Sequence, residues 1–199
     1  MSDGEKIIVA PFEVYLAPVG ESVPDLADAP SGNWAYLGGS GKVHQAEGGV
    51  TVTHEQTIVE HRTEGVTAPI KVSRTEESLT IGFTLVDMTL EEYAKILNGV
   101  TVTDTAAGSG TAGVRKIPLR QGPDVNIYAL LLRGQSPYGA SYQSQYAVAQ
   151  VYQAANPAPV FTKGDMAGLE CEWHALEAPS QAGEGDRFGE LQMQDAAAL

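Results

Sequence analysis

The stretch GVTVTHEQTIVEHRTEGVTAPIKVSRTEESLTIGFTLV, residues 49–86, decides the fold. Val50, Val52, His54, Gln56, Ile58 and Glu60 alternate with Thr51, Thr53, Glu55, Thr57 and Val59, the period-two pattern of an extended strand. A second alternating run leads from Ile70 through Leu79, Ile81 and Phe83 to Leu85. Between them lies a polar segment, Thr63 to Pro69, punctuated by Gly65 and Pro69. The pattern predicts a long antiparallel hairpin with Thr63, Glu64, Gly65, Val66 and Pro69 at its tip. A two-stranded ladder of this length is not stable alone in water, so a sheet, a helix or a neighbouring subunit must cover its apolar face. A one-residue change of register exchanges the two faces, and alternation leaves open which of them is covered.

A helix is predicted directly after the hairpin. Thr89 followed by Glu92 has the spacing of a capping box, in which hydroxyl and carboxylate satisfy backbone N–H groups at the helix start. Leu90, Tyr93, Ala94 and Leu97 share one face, and Asn98 with Gly99 supplies the stop. So short a helix covers one edge or face of a β structure. Further strands are expected at Phe12–Leu16, Trp34–Leu37, Val114–Leu119, Val125–Leu132, Gln145–Gln153 and Gly168–Leu176. In the last of these Leu169, Cys171 and Trp173 fall on one face, and Glu170, Glu172 and His174 on the other. Val19–Gly32 reads as a polar surface loop. A mainly β single domain over residues 1–178 is expected, followed by a polar C-terminal arm, residues 179–199, that is mobile unless a partner orders it.

Composition narrows the function. The 199 residues, 43% of them hydrophobic, suffice for one sizeable core. With 25 acidic and 12 basic residues the net charge is −13, which disfavours nucleic acid as a bound partner. Only the segment Tyr93–Thr162 is basic, where Lys95, Arg115, Lys116, Arg120 and Arg133 outnumber Asp104 and Asp124. An acidic body with one basic segment suits head-to-tail contact between identical copies, or else is a solvated surface. No apolar run reaches membrane-spanning length, and Met1–Lys6 lacks the regions of a signal peptide, so a cytosolic protein is expected. Cys171 is the only cysteine, which rules out an internal disulfide and a multi-thiolate metal site.

No motif announces an enzyme. Gly108–Gly113 has the letters of GxGxxG, but a strand follows it where a dinucleotide site needs a helix. Gly38–Lys42 lacks the residues of a phosphate loop, and His54–Glu55 starts a zinc-protease motif whose second histidine would fall at Ile58. His44, His54, His61 and His174 are too dispersed for a metal site. Glu170 and Glu172 share a strand face, read here as a solvated face or a surface lining a channel. Neither a catalytic group nor a cofactor is expected. From another class, an immunoglobulin-like or carbohydrate-binding β-sandwich on a virion or cell surface, with Tyr138, Tyr142 and Tyr146 in its groove, is the alternative.

The order of elements resembles the major tail, or tail tube, proteins of long-tailed bacteriophages. The likeness begins with Val14-Tyr15-Leu16-Ala17-Pro18 and Trp34-Ala35-Tyr36-Leu37-Gly38. It continues through Gly65-Val66-Thr67-Ala68-Pro69-Ile70, Thr75-Glu76-Glu77, Phe83-Thr84-Leu85 and the helix Thr89–Leu97. It closes with Phe161–Leu169 and Glu172-Trp173-His174-Ala175-Leu176. The resemblance implies a β-sandwich or rolled β-barrel flanked by one helix, assembled as hexameric rings that stack into the virion's tail tube. It also implies that His54–Ser73 is an arm reaching a neighbouring subunit, with Val19–Gly32 and Gly38–Gly49 as contacts between rings. Glu170 and Glu172 would line the lumen, where like charge keeps passing duplex DNA mobile. The implied partners are further copies of the chain, a tape-measure protein, a tail terminator and distal tail proteins. Assembly would take place in the host cytoplasm.

Overall fold

The computed structural model describes residues 6–8, 11–38, 45, 48–181 and 183–196. The strands are β1 (Glu13–Pro18), β2 (Ala35–Tyr36), β3 (Thr51–His61), β4 (Lys71–Leu85), β5 (Thr103–Thr105), β6 (Val114–Lys116), β7 (Tyr128–Gln135), β8 (Gln143–Gln153), β9 (Leu169–Ala175) and β10 (Glu190–Met193). One helix, α1 (Leu90–Ile96), follows β4. Eight strands form a single antiparallel sheet in the order β2-β1-β7-β8-β9-β4-β3, with β10 added on β8, while β5 and β6 make a separate small hairpin. The mainly β class, the short helix and the long hairpin agree with the sequence pattern. The sheet is open, with β2 and β3 at its ends, so the rolled barrel does not close.

The sheet divides at β8. One edge of β8 pairs with β7, while the other is shared by β10 at Ser144–Ala147 and β9 at Val151–Gln153. The expected free C-terminal arm is therefore corrected over residues 183–196. Gln194 N donates to Gln143 O (3.0 Å), Ser136 Oγ donates to Gln194 O (2.7 Å), and Phe188 packs against the core. The polar composition of this segment hid a strand whose partners are largely backbone groups.

Alternation builds the core. Ile81 faces Trp173, Phe83 faces Cys171, and Leu85 faces Leu169 across the β4–β9 ladder, so every second residue of both strands enters one apolar layer. Trp173 is fully buried and meets Tyr128 edge-on at 5.9 Å. Burial pushes the Cys171 thiol up to about 12, which makes it an inert core residue rather than a nucleophile. Thr89 caps α1 by accepting from Glu92 N (3.3 Å), as the spacing predicts. The Glu92 carboxylate, however, leaves the helix start and accepts from Gly38 N (3.1 Å) and Lys95 Nζ (2.8 Å). Ile96, outside the predicted apolar face, is buried in the core with Ala94 and Leu97.

The run Ala129-Leu130-Leu131-Leu132 in β7 is buried on both faces. Leu130 and Leu132 point into the main core, whereas Ala129 and Leu131 join Ala17, Trp34 and Ala147 in a second cluster on the opposite face. The loop 19–34 covers that second cluster, and its backbone is held by buried polar groups. The Arg133 guanidinium donates to the carbonyls of Asp25 (3.0 Å), Leu26 (3.1 Å) and Asp28 (2.8 Å) and to Gln145 Oε1 (2.7 Å). Gln145 Nε2 donates in turn to Pro24 O (2.9 Å), and Trp34 Nε1 to Ser22 O (2.9 Å). Burial lowers the Arg133 pKa from its ordinary value, and Asp28 and Glu13 act in the opposite direction.

Arg133→Ala is expected to lose about 3 kcal/mol, since hydrogen bonds to a charged group are strong and three loop carbonyls lose their donor. Arg133→Lys should restore little of this, because an ammonium lacks the planar fork that reaches three carbonyls and an amide together. Urea unfolding of the three proteins measures both effects.

Candidate assembly surface

The hairpin leaves the core partway along its length. Val52 faces Ile81 on the core side, but every β3 residue from Thr53 to His61 is exposed. In β4 the residues Lys71–Glu77 are exposed apart from the half-buried Ser73. The outer half is thus an arm with solvent on both faces, in the place the sequence predicts. At its tip Val66 N donates to Thr63 O (3.2 Å), and Gly65 takes a φ of +85°, which a turn with this hydrogen bond accepts most readily from glycine. Glu64 lies within that turn, and Pro69 precedes the point where Ile70 N rejoins His61 O (2.8 Å).

A bulge sets the faces of the arm. Thr57 pairs with Glu76 and Ile58 with Arg74, so Thr75 is the extra residue, and its hydroxyl donates to Thr57 O (3.3 Å). Ile58 and Val72 consequently share the face that carries Leu79 and Ile81 further along, and by continuation of the ladder so does Ile70. In an unbulged ladder Ile58 and Val72 would lie on opposite faces. These side chains are 50% (Ile58), 57% (Val72) and 61% (Ile70) exposed, three apolar positions near the tip on a face that also carries Gln56, Glu60, Arg74 and Glu77. Polar contacts along the arm, among them Arg74 Nε to Gln56 Oε1 (2.9 Å) and Thr57 Oγ1 to Glu76 (3.2 Å), are exposed and each worth little.

The opposite face is hydroxylic and acidic. Glu170 sits beside Thr84 and Glu172 beside Gly82, next to Thr51 and Thr53 of β3. With Glu55 and Glu76 they form a face on which Thr51–Thr57, Glu76–Thr84 and Glu170–His174 place no lysine or arginine. Its single imidazole, His174, pairs with Glu172 at 2.6 Å. The face split of β9 was legible from alternation, whereas the joining of Glu170 and Glu172 to Glu55 required the register.

Other candidate residues do not assemble. Gly108–Gly113 is the turn of the β5–β6 hairpin, closed by reciprocal hydrogen bonds between Gly108 and Thr111, each 3.0 Å. His54 and His61 lie on β3, His44 is outside the described residues, and among the described residues no three His, Cys, Asp or Glu are grouped to hold a metal. Tyr146 packs against Phe12 at the edge of the core, Tyr142 is half-buried and Tyr138 is exposed. The basic segment is largely consumed internally: Lys95 binds Glu92, Arg115 binds Glu91 (2.5 Å) and Asp104 (3.4 Å), and Arg133 is buried. The loop Val19–Gly32 is clamped to the sheet, and most of Gly38–Gly49 lies outside the described residues. A concavity of about 640 Å3 lies on the open flank of the arm, lined by Glu55–Thr57 and Glu76–Ser78. The strand expected at Gly168–Leu176 is β9, and Phe161–Gly168 before it is a loop in which Phe161 (78%) and Met166 (73%) are exposed, as is Val160 (70%).

Trypsin is expected to cut the native chain first after Arg62, at the exposed tip, before any site within the core strands. Mass spectrometry of a brief digest identifies the cut, and unchanged tryptophan fluorescence would show that the core survives it.

Compared with known protein families the chain matches none, and no curated protein matches it in sequence.

Proposed function

We propose that the chain is a non-enzymatic structural subunit of a long-tailed bacteriophage tail tube, built as stacked hexameric rings through which DNA is ejected. The observation that carries this reading is the arm, whose outer half is exposed on both faces among the described residues and bears the exposed apolar side chains Ile58, Ile70 and Val72. Covering Ile58, Ile70 and Val72 against another copy is worth about 1 kcal/mol or more per side chain, at roughly 25 cal/mol per Å2 of apolar surface removed from water. The arm therefore works by assembly, in a non-closing or ring-closing contact between identical subunits.

The acidic, hydroxylic face supports the second half of the proposal. A wall bearing Glu55, Glu170 and Glu172 without lysine or arginine repels duplex phosphates, the inverse of a binding groove, so DNA slides instead of adhering. Under this reading a tape-measure protein sets tube length, and terminator and distal tail proteins close its two ends.

Negative-stain microscopy of the concentrated protein, alone and with the tape-measure protein, should show rings or tubes. A strictly monomeric protein under both conditions would count decisively against the proposal. Glu55→Lys combined with Glu172→Lys should leave assembly intact but make the tubes retain duplex DNA at low salt and release it as salt rises. Retention measured on filters, equal for variant and unaltered tubes, would remove the lumen assignment.

A further inference from the structure

The chain leaves α1 through Asn98-Gly99, and the fold asks for both residues there. Each takes a φ of +66°, in the left-handed region that asparagine and glycine enter most readily. A side chain at position 99 would also collide with the Tyr128 hydroxyl. Asparagine before glycine is at the same time a chemically labile pair, because no Cβ shields the glycine nitrogen from the neighbouring carboxamide.

In the folded protein the half-buried carboxamide is committed elsewhere. Asn98 Nδ2 donates to Gln121 O (2.9 Å) and Asp124 O (2.7 Å), its Oδ1 accepts from Asn126 N (2.6 Å), and Asn126 Nδ2 donates to Asn98 O (2.5 Å). Gly99 N donates to Lys95 O (3.3 Å). What the carboxamide holds is the excursion from Thr101 to Ile127, exposed at every residue except Val102 and Ile117. Burial contributes little to its placement, so polar ties to α1, through Asn98 and through Arg115 to Glu91 (2.5 Å), fix its position.

We propose that Asn98 is a modification site guarded by the fold: a latch on the 121–126 loop in the folded protein, and a site of succinimide formation wherever the end of α1 opens. In the open chain Gly99 N attacks Asn98 Cγ and a new C–N bond forms. The Cγ–Nδ2 bond breaks, and ammonia leaves with the proton that Gly99 N gives up. Water then opens the succinimide at either carbonyl, to aspartate or to isoaspartate. The folded protein blocks the attack, because three hydrogen bonds hold the carboxamide on the loop and Gly99 N–H is engaged with Lys95 O. Neither product resumes the latch. A carboxylate has no N–H for the carbonyls of Gln121 and Asp124, and isoaspartate also adds a methylene to the main chain beside them. Opening is therefore recorded irreversibly, and a chain so marked refolds with its excursion loose. This inference is independent of the tube reading.

The unaltered protein supplies the first test. It is held in mildly alkaline buffer with and without urea, and the tryptic peptide Ile96–Arg115 is followed by mass spectrometry. Conversion of Asn98 is expected to be at least tenfold slower without urea, and equal rates would overturn the guarded site. Hydrogen exchange of Asn98→Asp tests the latch. Amides within residues 121–126 should exchange at least tenfold faster than in the unaltered protein while tryptophan fluorescence, which reports the core, stays the same. Exchange at the unaltered rate would show that the carboxamide does not hold the loop, and the latch falls.

Discussion

A single unbroken strand does two jobs in this molecule, and the difference lies in what pairs with its edges. Over Thr80–Leu85, β4 is flanked by β9 on one side, and as far as Gly82 by β3 on the other, while alternate residues enter the core. Over Lys71–Glu77 it pairs, among the described residues, with β3 alone, and its side chains are exposed apart from the half-buried Ser73. The buried half fixes the exposed half in direction, because both belong to one hydrogen-bonded ladder without a hinge loop between them. The bulge at Thr75 adds a local bend and selects which side chains share a face.

Charge is arranged with the same division. Bases that the sequence gathers between Tyr93 and Thr162 serve internal ties: Lys95 steadies Glu92, Arg115 links the β5–β6 hairpin to α1, and Arg133 holds the loop over the second apolar cluster. Their consumption leaves acids to dominate the outer face of β3, β4 and β9. A composition average of −13 therefore understates the asymmetry at that face, where Thr51–Thr57, Glu76–Thr84 and Glu170–His174 place no lysine or arginine and Lys71 enters only toward the tip. Lys116 and Arg120 of that segment remain exposed.

Features legible in the sequence were those written in one strand or one turn. The hairpin, the Thr89 cap, the Asn98–Gly99 stop and the two faces of β9 each follow from local period or local chemistry. Those missed depend on partners far along the chain. β10 is polar and short, and becomes a strand because β8 has an unpaired stretch of edge between Ser144 and Ala147. Arg133 looks like surface charge until Asp25, Leu26 and Asp28, more than 100 residues earlier, turn their carbonyls toward it. Ile96 falls off the predicted face of α1 because so short a helix is enclosed from more than one side. The arm was visible as a candidate assembly element, but its apolar face was not. That face depends on one extra residue in a ladder, which alternation counts as noise.

The antiparallel register of β3, β4 and β9 also has a mechanical meaning. A pull on the tip along the strand axis loads the hydrogen bonds between β4 and β9 in shear, so the six residue pairs from Thr80–His174 to Leu85–Leu169 resist together. A sideways pull that peels β3 from β4 breaks its ladder one pair at a time, beginning at His61 and Lys71. The arm is accordingly stiffer under axial tension than under lateral peeling, so the direction of a load, and not its size alone, decides whether the ladder opens.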